Sequence, residues 1–539
     1  MKKWICSWLV LLLLFTSSAA AQSDIEITAT PLESSECSGV FVMHTLPHTV
    51  LVDQQPVRMF ESNGAGLAIN DLNNDGLLDI VLANIDDPET ILWNEGNLEF
   101  RPQSLNIPGA TRAVIILDMN GDGWRDILFT TQRGAPSLWV NAQDGAFTFA
   151  PLPGVDNFAY TMNWADLDSD GDLDLVTGSY DAELERIMTN QVLFNGGAGV
   201  YVYENVDGQF IETQLAARAQ ALTILFTDVT GDGQWDIAVG NDFAELDRYW
   251  AQDNGSWMEI TPFEIMTHST MSFDAADVNN DGTQEFFATD MHPYSEDEVT
   301  MAAWQPVMET MMAMPMLDGD PQVMVNTMQS ITGERYQNVS DVLGVDASGW
   351  SWSSKFGDLD SDGFADLYIV NGMIAQDLFG HLPNNELVEE NQAFRNVAGS
   401  GFVLAPEWGL NATASGRGMS MADLDGDGDL DIVVSNLMSP AALFENQICG
   451  GDHLLITLHQ PQTPNPDAVG ARLVLSTSTG VYQREIRAAS GYLSGDASQV
   501  HFGLPTGSIL ESLEIYWPDG EVSRITTLDA NTALIVRRS

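Results

Sequence analysis

Residues 423–433 read Asp-Leu-Asp-Gly-Asp-Gly-Asp-Leu-Asp-Ile-Val, which places an acid at every odd position from 1 to 9 and a glycine at position 6. Residues 166–176 repeat this pattern as Asp-Leu-Asp-Ser-Asp-Gly-Asp-Leu-Asp-Leu-Val. Five further copies begin at Asp71, Asp118, Asp228, Asp277 and Asp358. Because an internal repeat determines an architecture more strongly than local propensity does, the fold prediction starts from these seven copies.

Each copy has the chemistry of a site for a hard cation. Oxygen-bearing side chains at positions 1, 3, 5 and 9, together with the carbonyl of position 7, suit the six to eight oxygens that Ca²⁺ takes. Glycine at position 6 permits the positive φ that a tight loop needs. An EF-hand would close with Glu at position 12, where Leu82, Thr177 and Val434 stand instead, and Mg²⁺ demands a stricter octahedron. The pattern therefore favours Ca²⁺ in a loop that is not an EF-hand.

The repeat predicts up to seven Ca²⁺ ions. The predicted side-chain ligands are Asp71, Asn73, Asp75, Asp79; Asp118, Asn120, Asp122, Asp126; Asp166, Asp168, Asp170, Asp174; Asp228, Thr230, Asp232, Asp236; Asp277, Asn279, Asp281, Glu285; Asp358, Asp360, Asp362, Asp366; and Asp423, Asp425, Asp427, Asp431. The predicted backbone-carbonyl ligands are Leu77, Trp124, Asp172, Gln234, Thr283, Phe364 and Asp429. A merely solubilising acidic surface is the alternative.

The residues around each loop indicate β-strands. Asp79-Ile-Val-Leu and Asp126-Ile-Leu-Phe are typical strand starts, and the first loops begin 47 and 48 residues apart. That length suits one four-stranded propeller blade. The sequence therefore predicts an all-β protein with a seven-bladed β-propeller over residues 22–446. A stack of independent calcium modules is the competing architecture, but no Pro/Ser linkers separate the units.

Residues 447–539 show alternating strands and four ordered motifs: Gly470-Ala-Arg-Leu, Ser490-Gly-Tyr-Leu, His501-Phe-Gly-Leu and Trp517-Pro-Asp-Gly. With these motifs the segment resembles the ASPIC/UnbV domain, and the loops resemble the FG-GAP/VCBS repeats of integrin α-subunit propellers. The combined arrangement resembles the cartilage acidic protein family. The segment is thus expected to be a small all-β domain, in which Arg487 is a salt-bridged or solvated arginine and His501 a satisfied structural histidine. Ligand-binding roles for both remain the alternative.

Composition limits the partners and the compartment. The chain has 20 Lys and Arg against 77 Asp and Glu, a net charge of −57, which disfavours nucleic acid and anionic membranes. Lys2 and Lys3 precede a short apolar run and small residues, so residues 1–21 are predicted to be a signal peptide. Beyond it no apolar stretch is long enough for a membrane span. The expected location is secreted, cell-surface or periplasmic.

Two cysteines remain after the predicted signal peptide, Cys37 and Cys449. An even pair in an exported protein is usually oxidised, so a disulfide across the seam of the ring is predicted. Two separate buried thiols are the alternative.

A methionine-rich insertion spans about residues 290–332, between the fifth and sixth loops. Thioethers suit Cu(I), and His292 lies nearby, so copper handling is one hypothesis. The other is an amphipathic helix over 300–312 that packs on the propeller. Because insertions carry variable function, the segment is also a predicted site of partner recognition.

The sequence favours an extracellular binding or adhesion module for a protein or glycan partner, without catalytic activity. It contains no nucleophile elbow, phosphate-binding glycine loop or zinc-protease motif. A carbohydrate-active enzyme on a propeller scaffold is the alternative, since a carboxylate pair formed across blades is invisible in one sequence.

Overall fold

The computed structural model describes residues 25–33, 37–189, 198–243, 245–312, 319–333 and 335–538. The predicted signal peptide, residues 1–21, lies outside the described residues. Strands dominate the described chain, so the all-β prediction is confirmed. No described helix is long and apolar enough to cross a membrane.

In the described chain, seven units of four antiparallel strands form the larger part of the molecule, and we call them sheets 1 to 7 in chain order. Sheets 1 and 2 are joined through a strand of the C-terminal domain, and sheet 6 carries a short fifth strand. Their strands are, for sheet 1, Leu67–Asn70, Asp79–Leu82, Glu89–Asn94 and Phe100–Leu105; for sheet 2, Thr111–Leu117, Asp126–Thr131, Ser137–Asn141 and Phe147–Ala150; for sheet 3, Thr161–Ala165, Asp174–Gly178, Val200–Val206 and Gln209–Ala216; for sheet 4, Ala221–Thr227, Asp236–Asn241, Arg248–Asp253 and Ser256–Ile260; for sheet 5, Phe273–Ala276, Glu285–Ala288, Thr327–Thr332 and Arg335–Asn338; for sheet 6, Gly349–Gly357, Asp366–Asn371, Gln392–Asn396 and Phe402–Leu404; and for sheet 7, Gly416–Ala422, Asp431–Asn436, Pro440–Asn446 and Phe41–Thr49.

The first strands of the seven sheets contact one another in a closed cycle, from sheet 1 through sheet 7 and back to sheet 1. The first strand of sheet 2, Thr111–Leu117, is buried along its whole length, whereas the outer strand Phe100–Leu105 of sheet 1 has a single buried residue, Leu105. Apolar side chains of adjacent sheets interlock, as Val81 and Ile91 of sheet 1 do with Ile127 of sheet 2. Burial therefore increases toward the axis of the cycle.

The cycle closes by strand pairing as well as by a disulfide. Phe41–Thr49 runs antiparallel to Pro440–Asn446 and completes sheet 7, with Phe41 opposite Asn446. Just beyond this pair Cys37 is bonded to Cys449, with 5.1 Å between their Cα atoms. The predicted disulfide is confirmed. The closing strand was not predicted, because its partner lies about 400 residues away.

Two further four-stranded sheets form the C-terminal domain. They consist of Ile25–Pro31, Thr532–Arg538, Asp452–His459 and Gln499–Leu504, and of Val481–Glu485, Arg472–Thr477, Leu510–Tyr516 and Val522–Ile525. Ile25 pairs with Arg538. The predicted propeller segment 22–446 therefore begins too early, since its first strand belongs to the C-terminal domain.

The connections between second and third strands carry most of the helices. The helices are Asp181–Thr189, Glu298–Met312, Ser340–Leu343 and Gln376–Phe379, with 3-10 turns at Phe60–Ser62, Pro383–Asn385 and Pro406–Trp408. Short strand pairs accompany them: Met266–Thr267 with Gln322–Val323, and Met373–Ile374 with Glu386–Leu387. A further short strand, Met291–His292, pairs beside the first strand of sheet 6.

The predicted insertion, residues 290–332, is too wide at both ends. Met291 pairs with Trp350, and Met328 is fully buried in a strand of sheet 5. The helix Glu298–Met312 occupies the middle, with Trp304 buried and its Nε1 donating to Glu389 at 2.9 Å. The helix that the sequence analysis gave as the alternative to a copper site is therefore present and packs on the sheets. Residues 313–318 of the insertion lie outside the described residues.

A hairpin of the C-terminal domain fills the axis of the cycle. Its strands are Ala489–Ser490 and Ser494–Gly495. Gly495 pairs with Ala68 of sheet 1 and Ser494 with Val114 of sheet 2, both in parallel. The hairpin also hydrogen-bonds to residues on the first strands of the other five sheets, namely Asn163, Thr223, Phe273, Ser353 and Met419. One short hairpin thus touches all seven sheets.

Tyr492 is the deepest side chain of this hairpin and is completely buried. Its hydroxyl accepts a hydrogen bond from the amide of Gly64 at 3.1 Å and lies 2.7 Å from the hydroxyl of Tyr160. Gly491 precedes it with φ of 73°, and a Cβ there would lie 2.8 Å from Ser353 Oγ. Only glycine combines that conformation with so close an approach.

Replacing Tyr492 with alanine is expected to lower the free energy of unfolding by about 3 to 5 kcal/mol, because it leaves a cavity at the axis and removes two buried hydrogen bonds. Urea unfolding measures the loss. Tyr516→Ala is the matched control, since Tyr516 is only partly buried and packs mainly against Arg472. Equal losses in the two variants would show that the hairpin does not anchor the seven sheets.

Candidate metal centres and the domain interface

The seven acidic loops connect the first strand to the second in each sheet, and they share one hydrogen-bond frame. In every loop the amide of the glycine at position 6 donates to the carboxylate at position 1, over 2.8 to 3.1 Å. The amide at position 7 donates to the carboxylate at position 5, over 2.9 to 3.2 Å. The position-6 glycines have φ between 84° and 102°. The acids at positions 1 and 5 are thereby fixed toward the inside of each loop.

The acid at position 9, at the start of the second strand, accepts hydrogen bonds from the loop and from the third strand. In loop 1, Asp79 accepts from the amide of Leu72 at 3.0 Å and from the amide of Asn94 at 2.9 Å. Each of its oxygens already has one donor. Because a carboxylate oxygen has more than one acceptor direction, a cation can still bind there.

An asparagine at the end of the third strand was missed by sequence reasoning. The asparagines whose amide binds the position-9 acid are Asn94, Asn141, Asn205, Asn396 and Asn446. In four of them the side chain also donates to the position-2 carbonyl of the neighbouring sheet's loop, as Asn94 does to Leu424 at 2.8 Å. The sequence does contain a signal for this contact, because an asparagine stands at or next to the end of the third strand in these repeats. These side chains link consecutive loops.

Carboxylate oxygens converge most closely in three loops. The groups within 4.8 Å of one another are Asp166, Asp168 and Asp170; Asp358, Asp360 and Asp366; and Asp423, Asp425 and Asp431. These are the loops with four predicted carboxylate ligands. In addition, the Oδ1 atoms of Asp166 and Asp236 are buried without a hydrogen-bond partner. Buried acceptors of this kind fit a site completed by a cation.

Burial and crowding of like charges raise the pKa of these carboxyls. Burial first, then neighbouring acids, raises the pKa of Asp79 and Asp126 to about 7 and that of Asp174 to about 8. The same causes raise the pKa of Asp423 to about 8 and that of Asp431 well above its usual range. Backbone amides oppose the shift but do not cancel it. Arginine charges near loops 1, 5 and 6 also lower the pKa of Asp71, Asp277 and Asp360, but they do not cancel the effect of burial.

The C-terminal domain lies on the face of the cycle that carries these loops. Arg125 in loop 2 forms a two-point ion pair with Asp467, at 2.7 and 3.3 Å. Gly363 in loop 6 lies against the ring of Tyr482, so closely that a Cβ would come within 2.8 Å. A Cβ on Gly503 would fall 2.3 Å from a carboxylate oxygen of Asp358. The domain therefore covers the loops directly.

Comparison with known families identifies both the loop-bearing part and the C-terminal part of the chain. A model of the FG-GAP-like repeat matches residues 71–129, 118–177, 228–288 and 376–434, and the ASPIC and UnbV model matches residues 461–539. The chain carries FG-GAP-like repeats and a C-terminal ASPIC/UnbV domain. The four matched stretches contain six of the seven loops, all except loop 6, and the ASPIC/UnbV match lies in the domain that packs on the loops.

No curated protein matches the chain. Similar solved structures include "BBS1N in complex with ARL6DN, soaked with mercury" at 10% identity, covering 71% of this chain and 93% of that one with a TM-score of 0.40. "YCF48 bound to D1 peptide" is 6% identical, covers 77% and 97%, and has a TM-score of 0.42. A lectin of Agrocybe aegerita, described for specific recognition of non-reducing terminal N-acetylglucosamine, is 14% identical, covers 74% and 95%, and has a TM-score of 0.38. The likeness is too remote to carry an argument.

Three of the four ASPIC/UnbV motifs contact the repeats. Gly470 lies against the Trp235 indole of loop 4, Ser490–Leu493 belongs to the axial hairpin, and Gly503 of the His501 motif meets Asp358. Arg487 is salt-bridged, as predicted, to Asp274 at 3.2 Å and to Glu485 at 2.9 Å. His501 is buried, but its Nε2 has no hydrogen-bond partner, so the prediction of a satisfied histidine is wrong in that respect.

The metal-free protein is expected to lose stability as pH rises from about 4 to about 8. The loop carboxyls have a folded-state pKa near 7 to 8, above the unfolded value of about 4. Their bound protons therefore stabilise the fold fully below about pH 4, and this contribution is lost as the pH rises through the folded pKa. Thermal unfolding in a chelator across this range measures the effect. A chelated melting temperature that stays level or increases with pH would contradict it.

Proposed function

We propose that the protein is an exported, calcium-binding propeller that acts as an extracellular binding or adhesion module for a protein or glycan partner, and that it catalyses no reaction. The observation that carries the calcium part is the hydrogen-bond frame common to all seven loops. It turns the acids at positions 1 and 5 inward and leaves oxygens such as Asp166 Oδ1 without a partner.

The predicted ligands fit Ca²⁺ because all of them offer oxygen, and the loops with carboxylates at positions 1, 3, 5 and 9 offer the highest charge. When bound, Ca²⁺ supplies positive charge to carboxyls that burial leaves uncompensated. The chain's part is to hold the acids in place through the position-6 and position-7 amides. Since the ASPIC/UnbV domain rests on the same loops, calcium also supports the domain interface under this proposal.

The partner is proposed to bind at the face opposite the calcium loops. Each loop joins a first strand to a second, so the connections from second to third strands emerge at the other end of each sheet. The long connections of this kind contain the helices Asp181–Thr189, Glu298–Met312 and Gln376–Phe379. The loop-bearing face is covered by the ASPIC/UnbV domain and the axis is filled by its hairpin. At the opposite face the connections differ most in length from one sheet to the next, which suits recognition.

Export is supported by the residues at the start of the chain and by the disulfide. Lys2 and Lys3, followed by an apolar run and three alanines, are typical of a signal peptide. A disulfide between Cys37 and Cys449 is typical of an oxidising compartment.

Calcium is expected to raise the melting temperature, because it binds the folded state alone. Each site contributes about 2.7 kcal/mol at a free concentration 100 times its Kd. Differential scanning calorimetry with calcium titration and chelation measures the effect, and loops 3, 6 and 7 should release metal last. Asp425→Asn should reduce the calcium-dependent gain, whereas the exposed Asp156→Asn should not. A melting curve unmoved by calcium contradicts the metal proposal.

Partner recognition is expected to depend on the helix Glu298–Met312. Val299 projects from it with 80% of its surface exposed, so Val299→Asp should weaken capture of the partner from native extracellular material without changing stability. Val481→Asp, at 52% exposure in the ASPIC/UnbV domain, is the control. Mass spectrometry of captured material identifies the partner. If the Val299 variant captures the partner as well as the natural chain does, recognition does not depend on this helix. If the protein turns over a polysaccharide, the carbohydrate-active enzyme is the better interpretation.

A further inference from the structure

Side-chain hydrogen bonds connect some neighbouring acidic loops and leave others unconnected. Asn141, at the end of the third strand of sheet 2, donates from Nδ2 to the position-2 carbonyl of loop 1, Leu72, at 2.8 Å. The backbone amide of the same residue donates to Asp126, the position-9 acid of loop 2, at 2.8 Å. Asn141 therefore joins a predicted metal ligand of one loop to the backbone of the loop beside it.

Four asparagines make this double contact, with side-chain bonds of 2.8 to 3.0 Å. They are Asn94, between loops 1 and 7; Asn141, between loops 2 and 1; Asn396, between loops 6 and 5; and Asn446, between loops 7 and 6. Because sheets 7 and 1 are neighbours in the closed cycle, loops 5, 6, 7, 1 and 2 form one uninterrupted series. We call these loops and their four asparagines the asparagine belt.

The junction between loops 1 and 2 has two further hydrogen bonds. Asn74, at position 4 of loop 1, donates to the carbonyl of Gly123 at position 6 of loop 2, at 2.8 Å. Arg125, at position 8 of loop 2, donates from Nη1 to the carbonyl of Asp71 at position 1 of loop 1, at 3.1 Å. The two loops are therefore fixed to each other at residues that frame their predicted metal ligands.

The belt is interrupted on both sides of loops 3 and 4. In sheet 3 the amide of Asn205 binds Asp174 at 2.9 Å, but its side chain donates back to its own loop. In the part of the chain that the structure describes, no side-chain hydrogen bond joins loop 2 to loop 3. In sheet 4, Gln252 donates to loop 3 at 2.6 Å, yet Oδ1 of Asp236 in loop 4 is buried without a donor. Among the described residues, no side chain of sheet 5 donates to position 2 of loop 4.

An empty loop can affect its neighbour in two opposite ways. By charge alone, it keeps its negative carboxylates and attracts a cation to the next loop, an effect that salt screens over about 8 Å at physiological ionic strength. Through hydrogen bonds the sign is reversed. Like-charge repulsion loosens the position-9 acid of an empty loop, and with it the asparagine that orders position 2 of the neighbour, between ligands 1 and 3. Coupling between two binding sites is reciprocal, so either loop then favours the other.

We propose that calcium binds cooperatively within the asparagine belt, loops 5, 6, 7, 1 and 2, and that loops 3 and 4 bind it independently of the belt. This inference rests on the proposed calcium function and refines it, because it assigns the belt asparagines as positioning residues for the ligands of adjoining loops. The belt spans the seam that the Cys37–Cys449 disulfide closes, so calcium loads the closing side of the cycle as one unit.

Loop 2 contains a suitable reporter, Trp124 at position 7. Tb³⁺ takes oxygen ligands as Ca²⁺ does, and a nearby indole sensitises its luminescence, so the signal that Trp124→Phe removes reports occupancy of loop 2. Asp75→Asn disables loop 1, which is linked to loop 2. Asp168→Asn combined with Asp170→Asn disables loop 3, the unlinked neighbour, and is the matched control. Both changes leave two carboxylates among the side-chain ligands, and all three substituted acids are exposed.

Titration of the full chain with Tb³⁺ at physiological ionic strength gives the affinity of loop 2 in each variant. We expect the loop-1 variant to weaken binding at loop 2 by at least about fivefold, and the loop-3 variant to leave it unchanged. Asn141→Leu should reduce the effect of disabling loop 1. Asn205→Leu is the control for this step, since Asn205 has the same amide contact but no bond to a neighbouring loop. If Asn141→Leu fails to fold, the comparison of the loop-1 and loop-3 variants decides the question.

The outcomes separate this proposal from the calcium function. Suppose that calcium raises the melting temperature, but that the loop-1 and loop-3 variants affect loop 2 equally, or that disabling loop 1 strengthens binding there. The belt is then wrong while the calcium function stands. Unchanged coupling in a folded Asn141→Leu variant likewise overturns the role of the belt asparagines. If calcium leaves the melting temperature unchanged and Tb³⁺ does not bind, the calcium function fails first, and the belt with it.

Discussion

Seven sheets arranged around an axis leave a space at the centre that their first strands cannot fill by themselves. Backbone groups facing that space need hydrogen-bond partners, because buried polar groups without them are costly. The ASPIC/UnbV hairpin meets this requirement with two parallel strand contacts and hydrogen bonds to residues on the other first strands. The repeats and the C-terminal domain therefore share one core, and the domain is a structural component of the propeller.

A second constraint is electrostatic. The loops concentrate carboxyls near the covered face, and the chain has few cations with which to balance them. Arg125 reaches Asp467 of the ASPIC/UnbV domain, while Arg484 of that domain faces Asp277 and Asp358. The arginines at the interface thus serve docking, and they are too few to neutralise seven loops. Each bound divalent cation offsets two negative charges of this acidic excess, which links the acidic composition to the proposed calcium sites.

Features encoded by local spacing could be predicted from the sequence, and features that depend on distant pairing could not. The glycine at position 6 and the strand after Asp79 are local, so the loops and the β-class followed from them. The closing strand Phe41–Thr49 and the axial hairpin pair with residues hundreds of positions away, and the motif Ser490-Gly-Tyr-Leu of the hairpin does not tell which strands it contacts. The boundaries of the methionine-rich insertion were wrong because Met328 looks like its neighbours in composition but lies in a sheet. Unpartnered nitrogens, as on Arg484, appear only in three dimensions.

The pairing of Ile25–Pro31 with Thr532–Arg538, and of Phe41–Thr49 with Pro440–Asn446, has a kinetic consequence. Both domains take an early strand and a late strand into the same sheet, so neither sheet can be completed before nearly the whole chain has been synthesised. Contacts of such high sequence separation slow folding and leave unpaired strand edges exposed meanwhile. A chain with this topology is therefore expected to complete both sheets only after synthesis has passed the late strands Pro440–Asn446 and Thr532–Arg538.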